Sequence, residues 1–144
     1  MDRRAFLRTS CFGCAGALAL SALPLQSCSG ALPVVKVAPE QGRLRVPLTA
    51  FAKGDMVLAR ATELPFDLLV EKGPNGAYRT LYLRCTHRDQ PLTATANGLY
   101  CPSHGSRFAM DGSVEKGPAD KPLIVLPTSV EGDDLVITLN TSKR

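Results

Sequence analysis

Short apolar runs, alternating with polar residues or rich in β-branched residues, follow one another from about residue 41 onward. Such runs predict β-strands, and no long segment repeats its apolar positions with helical spacing. Gly73-Pro74-Asn75-Gly76 and Asn97-Gly98 are strong turn signals between runs. The predicted strands cover residues 44–48, 56–60, 66–71, 77–84, 99–100, 107–109, 123–130 and 134–139.

The number and spacing of these strands predict an all-β fold, an antiparallel sandwich or small barrel. The chain has 144 residues, of which 44% are hydrophobic, so it is long enough for one domain with one ordinary core. We assign this domain to residues 41–144. The preceding segment, residues 28–40, is small, apolar and interrupted by proline, as expected of a tether.

The first 27 residues have a different pattern, which is typical of a targeting signal. Arg3 and Arg4 open a basic segment that resembles a twin-arginine export signal, and an apolar stretch follows from Cys11 to about Leu25. That stretch is shorter than the roughly 20 apolar residues of a spanning helix, although an uncleaved anchor remains an alternative. Residues 25–28, Leu-Gln-Ser-Cys, resemble a lipobox that would make Cys28 the lipid-modified first residue.

This leader predicts an exported protein, periplasmic or held on the outer face of a membrane by a lipid anchor. Nucleic acid is not an expected partner. The formal net charge is only +4, no basic run is present, and aromatic residues make up 6% of the chain with no tryptophan.

Candidate chemistry is concentrated at two short Cys/His motifs. Two of the 5 cysteines lie in the leader and one in the lipobox, which leaves Cys85 and Cys101 for the domain. The chain's 2 histidines, His87 and His104, follow them closely, and both motifs fall at turn-rich strand ends. Two thiolates and two imidazoles suit soft or borderline metals, so zinc fits this composition as well as iron. A Cys85–Cys101 disulfide is a further alternative, against which the histidine placement counts.

The two motifs and the residues after them resemble the Rieske 2Fe-2S family. The resemblance covers residues 81–126 closely and rests on Cys85-Thr86-His87, Cys101-Pro102-Ser103-His104-Gly105-Ser106-Arg107-Phe108, Asp111-Gly112, Val114, Gly117-Pro118-Ala119 and Pro122-Leu123. It implies one 2Fe-2S cluster per chain, with Cys85 and Cys101 on the inner iron and His87 and His104 on the outer iron.

The resemblance also implies roles for residues around the ligands. Ser106 would donate a hydrogen bond to a cluster sulfur, whereas Phe108 stands where high-potential members have a tyrosine. Gly117-Pro118-Ala119 resembles a third loop that covers the cluster. Gln90 and Ser103 occupy the positions of a cysteine pair that forms a disulfide in quinol-oxidising members, which makes this chain a disulfide-free, ferredoxin-like variant.

We therefore expect an exported one-electron carrier or electron-transfer subunit rather than a stand-alone enzyme. The implied partner is a cytochrome, a quinol-linked complex or an oxidoreductase subunit. A structural Cys2His2 zinc module is the alternative function. A Rieske oxygenase is not expected, because its mononuclear iron needs two further histidines and a carboxylate, and both histidines are already used.

Overall fold

The structure, a computed structural model, describes residues 30–139, so the leader and Cys28 lie outside the described residues. A short 3-10 helix, Leu48–Lys53, interrupts an otherwise all-β fold in this part of the chain. The strands are β1 (Val34–Val37), β2 (Arg43–Pro47), β3 (Met56–Ala61), β4 (Leu68–Lys72), β5 (Tyr78–Tyr82), β6 (Thr93–Thr95), β7 (Gly98–Tyr100), β8 (Arg107–Phe108), β9 (Val114–Lys116), β10 (Val125–Leu126), β11 (Thr128–Glu131) and β12 (Asp134–Thr138).

These strands form three sheets. Their orders are β1-β3-β4-β5-β10, β11-β12-β2 and β6-β7-β8-β9. Every pairing is antiparallel except that of β1 with β3, which is parallel. The prediction of an all-β sandwich is therefore confirmed, with one parallel edge strand that the sequence analysis missed. Strand β1 lies inside the segment that we interpreted as a tether.

The five-stranded sheet is central because apolar residues cover both of its faces. In β4 the run Leu68-Leu69-Val70 is wholly buried. Leu68 and Val70 pack into a core shared with the three-stranded sheet, and Leu69 packs into a second core that includes Cys85 and Cys101. A strand buried on both faces reads as a continuous apolar run rather than an alternating one. The two predicted metal-binding cysteines thus belong to a hydrophobic core.

Most predicted strands coincide with an observed strand to within about two residues. The prediction for residues 123–130 joined two strands that the structure separates at Pro127. Strand β10 pairs with β5, whereas β11 pairs with β12, so the chain crosses between sheets at this proline. Proline has no N–H to donate to a sheet, which explains the break. The short strands β6 and β9 were also missed.

Both turn signals were correct. The Gly76 N–H donates to the Gly73 carbonyl at 3.0 Å in the turn between β4 and β5. Asn97 and Gly98 connect β6 to β7.

Among residues 30–139, no helix has the length and apolar character that a membrane span requires.

Gly112 lies between β8 and β9 and packs closely against residues of and next to the central sheet. Its φ is 89°, and an added Cβ would lie 3.0 Å from Leu81 Cδ2 and 3.4 Å from Leu123 Cβ. The Leu123 N–H also donates to the Gly112 carbonyl at 2.9 Å. Gly112 therefore has a left-handed backbone conformation and little space for a side chain.

We expect Gly112→Ala to lower the free energy of unfolding by about 2–4 kcal/mol, from left-handed strain of about 1–2 kcal/mol plus overpacking. Gly76→Ala is the matched control, because Gly76 has a φ of 74° but no atom within 4 Å of an added Cβ. Urea denaturation followed by circular dichroism measures both. Equal losses in the two variants would contradict the packing role of Gly112.

Candidate metal centre

The first motif lies on a loop, residues 85–90, that follows β5. The Cys85 N–H donates to the Gln90 carbonyl at 2.8 Å and closes this loop at its base. Arg84 Nε donates to Asp89 Oδ1 at 2.7 Å across the same base. Cys85 is thereby fixed at the end of the central sheet, with His87 two residues further along.

The second motif lies on a loop, residues 101–106, between β7 and β8. The Cys101 N–H donates to the Ser106 carbonyl at 2.8 Å, and the Gly105 N–H donates to the Cys101 carbonyl at 3.0 Å. Gly105 has a φ of 79°, a conformation that favours glycine. The chain therefore turns back tightly after His104.

The structure brings the two cysteines together as a buried pair. Cys85 and Cys101 are each 1% exposed, and both are free thiols rather than a disulfide. Burial raises the pKa of Cys101, but hydrogen bonds from the backbone N–H groups of His104 and Ser103, and contact with Cys85, leave it below its ordinary value. The alternative of a Cys85–Cys101 disulfide is therefore not what the structure shows.

The two histidines form a second pair beside the thiols. The His87 and His104 ring centroids are 5.1 Å apart, with an angle of 86° between the rings. His87 is half-buried, whereas His104 is exposed. Within residues 30–139, no three His, Cys, Asp or Glu side chains gather closely enough to hold one metal ion.

One ring nitrogen of His87 tests whether a metal group would fit here. Nδ1 is buried and has no hydrogen-bond partner among the described residues. A buried polar atom without a partner costs about 1–3 kcal/mol. A metal bound to this nitrogen would remove that cost, so the donor set fits the expected cofactor.

A third segment, residues 117–121, contacts both ligand loops. Ser106, which is fully buried, accepts a hydrogen bond from the Ala119 N–H at 3.1 Å. Thr86 Oγ1 donates to the Lys121 carbonyl at 2.7 Å. Sequence reasoning missed this role of Thr86, because its partner lies 35 residues away and no local pattern marks it.

Two further predicted positions can be located. Phe108 is fully buried in the core beneath the loops. An apolar ring therefore lies at the position where the family resemblance puts the tyrosine of high-potential members. Ser103 Oγ donates to Gln90 Oε1 at 3.4 Å, so the two loops contact each other through neutral side chains.

Comparisons with known proteins identify the family to which this sequence is similar. A family model of the Rieske 2Fe-2S domain matches residues 46–131. The cytochrome b6-f complex iron-sulfur subunit of Parasynechococcus marenigrum (strain WH8102) is 30% identical over 152 residues, covering 96% of this chain and 85% of that protein. The subunit of the same name from Synechococcus sp. (strain JA-3-3Ab) is 34% identical over 91 residues, covering 61% of this chain and 52% of that protein.

Solved structures show the same fold at lower sequence identity. A cyanobacterial plasma-membrane Rieske protein from Synechocystis PCC 6803 matches with a TM-score of 0.54 and 23% identity, covering 64% of this chain and 94% of that chain. A chain from the complex of reduced oxygenase and oxidized ferredoxin in carbazole 1,9a-dioxygenase matches with a TM-score of 0.53 and 19% identity, covering 73% of this chain and all of that chain.

The comparisons support a Rieske cluster and electron transfer, and they give no support to the zinc alternative. Because the family model spans more than half of the sequence, the chain belongs to the Rieske 2Fe-2S family of electron-transfer proteins.

Proposed function

We propose that this protein is an exported, membrane-tethered one-electron carrier whose cluster is held by Cys85, Cys101, His87 and His104. The observation that carries this proposal is the unpaired, buried Nδ1 of His87, beside His104 and the buried thiol pair. Two thiols and two imidazoles in separate pairs match the ligand division of a Rieske centre, two cysteines on one iron and two histidines on the other.

When bound, the cluster supplies a site that accepts and releases one electron. The surrounding chain keeps water from the cysteine side, where Cys85 and Cys101 are each 1% exposed. His104, in contrast, is exposed at the tip of its loop. The shortest route between the centre and a partner protein therefore runs through the histidine side.

A redox protein is the partner that this geometry suits. The relatives named above are subunits of cytochrome b6-f complexes, which supports a cytochrome or quinol-linked complex as the donor or acceptor here. We propose that the ligand loops act without a disulfide between them, since Gln90 and Ser103 meet through a hydrogen bond.

The leader suggests where this carrier works. We propose that residues 1–27 direct export and are removed, and that lipid on Cys28 holds the protein at a membrane. Strand β1 begins at Val34, so the connecting segment is shorter than the sequence analysis assumed, about residues 28–33. A segment of six residues reaches at most about 20 Å when extended, which would keep the domain close to the membrane surface.

Fractionation of cells that produce the full chain tests this proposal. We expect visible absorbance that dithionite bleaches to appear in the membrane fraction. The intact mass of the extracted protein should correspond to a chain whose first residue is a lipid-modified Cys28. Cys28→Ser should release the bleachable protein from membranes, because no lipid can be attached. Cys14→Ser is the matched control and should leave it in place.

Two results would contradict the proposal, and they are distinct. An intact mass that retains Met1 would favour the uncleaved anchor over the lipid. Membrane-bound protein without bleachable absorbance would reject the redox role itself.

A further inference from the structure

Two charged side chains at the base of the first ligand loop have no role in the function proposed so far. Arg84 immediately precedes Cys85, and Asp89 lies two residues after His87. Arg84 Nε donates to Asp89 Oδ1 at 2.7 Å, and Arg84 Nη2 lies 2.6 Å from the same oxygen. This ion pair, which we call the loop clamp, joins the two ends of the loop.

The backbone at Asp89 has an uncommon conformation. Its φ is 33°, in the left-handed region that residues other than glycine rarely adopt. A residue keeps such a conformation when surrounding contacts enforce it. The contacts at hand are the Arg84 guanidinium and the hydrogen bond from the Cys85 N–H to the Gln90 carbonyl.

The loop clamp also reaches the second loop. Gln90, which follows Asp89, accepts a hydrogen bond from Ser103 Oγ at 3.4 Å, and Ser103 immediately precedes His104. Asp89 therefore lies between His87 in the first loop and the contact that leads to His104 in the second loop. On the other side, the loop is held separately by the hydrogen bond from Thr86 to the Lys121 carbonyl.

We propose that Arg84 and Asp89 are positioning residues, whose ion pair holds residues 85–90 in the shape that aims His87 at the cluster. Through Gln90 and Ser103 the same pair fixes the spacing of His87 and His104. This inference rests on the ligand assignment proposed above. It assigns the pair a role in cluster retention rather than in general stability.

A double-mutant cycle on the purified full chain tests the loop clamp. Arg84→Gln, Asp89→Asn and the double variant are compared by the rate at which visible cluster absorbance is lost in the presence of a chelator. We expect each single variant to lose its cluster about two- to fivefold faster, a modest factor because the Asp89 side chain is 68% exposed. The double variant should lose it no faster than the faster single variant, since the pair is already broken.

The midpoint potential gives a second readout, which reports the charges of the pair near the centre and does not depend on general stability. Asp89→Asn removes a negative charge near the centre and should raise the potential, because the reduced cluster carries more negative charge. Arg84→Gln removes a positive charge and should lower it. The two substitutions thus act in the same direction on cluster loss but in opposite directions on potential.

Arg60 and Asp67 provide a matched control away from the ligand loops. Arg60 Nε and Nη2 donate to the two Asp67 carboxylate oxygens at 2.9 and 2.8 Å. Arg60→Gln breaks an ion pair of similar length whose carboxylate side chain is less exposed, and it should leave the cluster-loss rate unchanged.

Three outcomes would overturn the inference: unchanged loss rates in both single variants, multiplicative effects in the double variant, or equal acceleration by Arg60→Gln. A wild-type chain that binds no two-iron cluster would instead reject the ligand assignment on which the inference rests. Circular dichroism of each variant confirms that the loss rates compare folded proteins.

Discussion

Replacing Cys85 with serine is expected to give a folded protein that no longer carries an intact cluster. Serine is a poor substitute for the thiolate ligand that a Rieske centre requires. Residue 85 is only 1% exposed, so a water molecule cannot easily take the place of the missing ligand. The same loss is expected for Cys101→Ser, His87→Ala and His104→Ala. Electron paramagnetic resonance of the dithionite-reduced variants, with iron analysis, measures the outcome.

Arg88→Ala is the control for these ligand variants. Arg88 is exposed and directly follows His87, but the family resemblance assigns it no ligand role. It should retain the full signal. An unchanged Rieske signal in Cys85→Ser would contradict the ligand assignment.

Ser106→Ala is expected to lower the midpoint potential while leaving the cluster in place. Ser106 Oγ accepts the Ala119 N–H at 3.1 Å, and its own hydroxyl proton remains available to a cluster sulfur. Reduction adds negative charge to the cluster, so such a donor stabilises the reduced form more than the oxidised form. A hydrogen bond to a charged acceptor is worth about 1.5–3 kcal/mol, and about 59 mV corresponds to a tenfold change for one electron.

Because the bond exists in both redox states, only part of that energy appears as a shift. We expect a fall of tens of millivolts, up to roughly 100 mV, in protein-film voltammetry. Phe108→Tyr is the converse variant and should raise the potential if the ring keeps its buried position. An unchanged potential in Ser106→Ala, with an intact cluster, would mean that Ser106 only holds the third segment through Ala119.

The sequence predicted much of the fold because most strands carry their own local signal. Alternation marks β2, where Leu44 and Val46 are buried between exposed neighbours, and a continuous apolar run marks β4. Strand β1 was missed because its apolar residues follow a proline-containing segment and its pairing partner, β3, is about 24 residues away. The three-residue strands β6 and β9 are too short for periodicity to distinguish them from loops.

The candidate site was predicted from two Cys/His motifs that the sequence displays directly, and its cluster was predicted from the resemblance of those motifs to the Rieske family. The contacts that join the two ligand loops to residues 119–121 were not predicted, because each joins residues far apart in the chain. Thr86 with Lys121 and Ser106 with Ala119 are examples, separated by 35 and 13 positions. The left-handed conformation of Asp89 was also missed, since aspartate adopts it more often than most residues but still uncommonly.

An electron paramagnetic resonance redox titration of the purified full chain, combined with metal analysis, tests the central claim most directly. We predict two irons per chain and a signal typical of a reduced Rieske cluster that develops with the slope of a one-electron couple. A chain that contains one zinc ion, no iron and no signal at any potential would contradict the account.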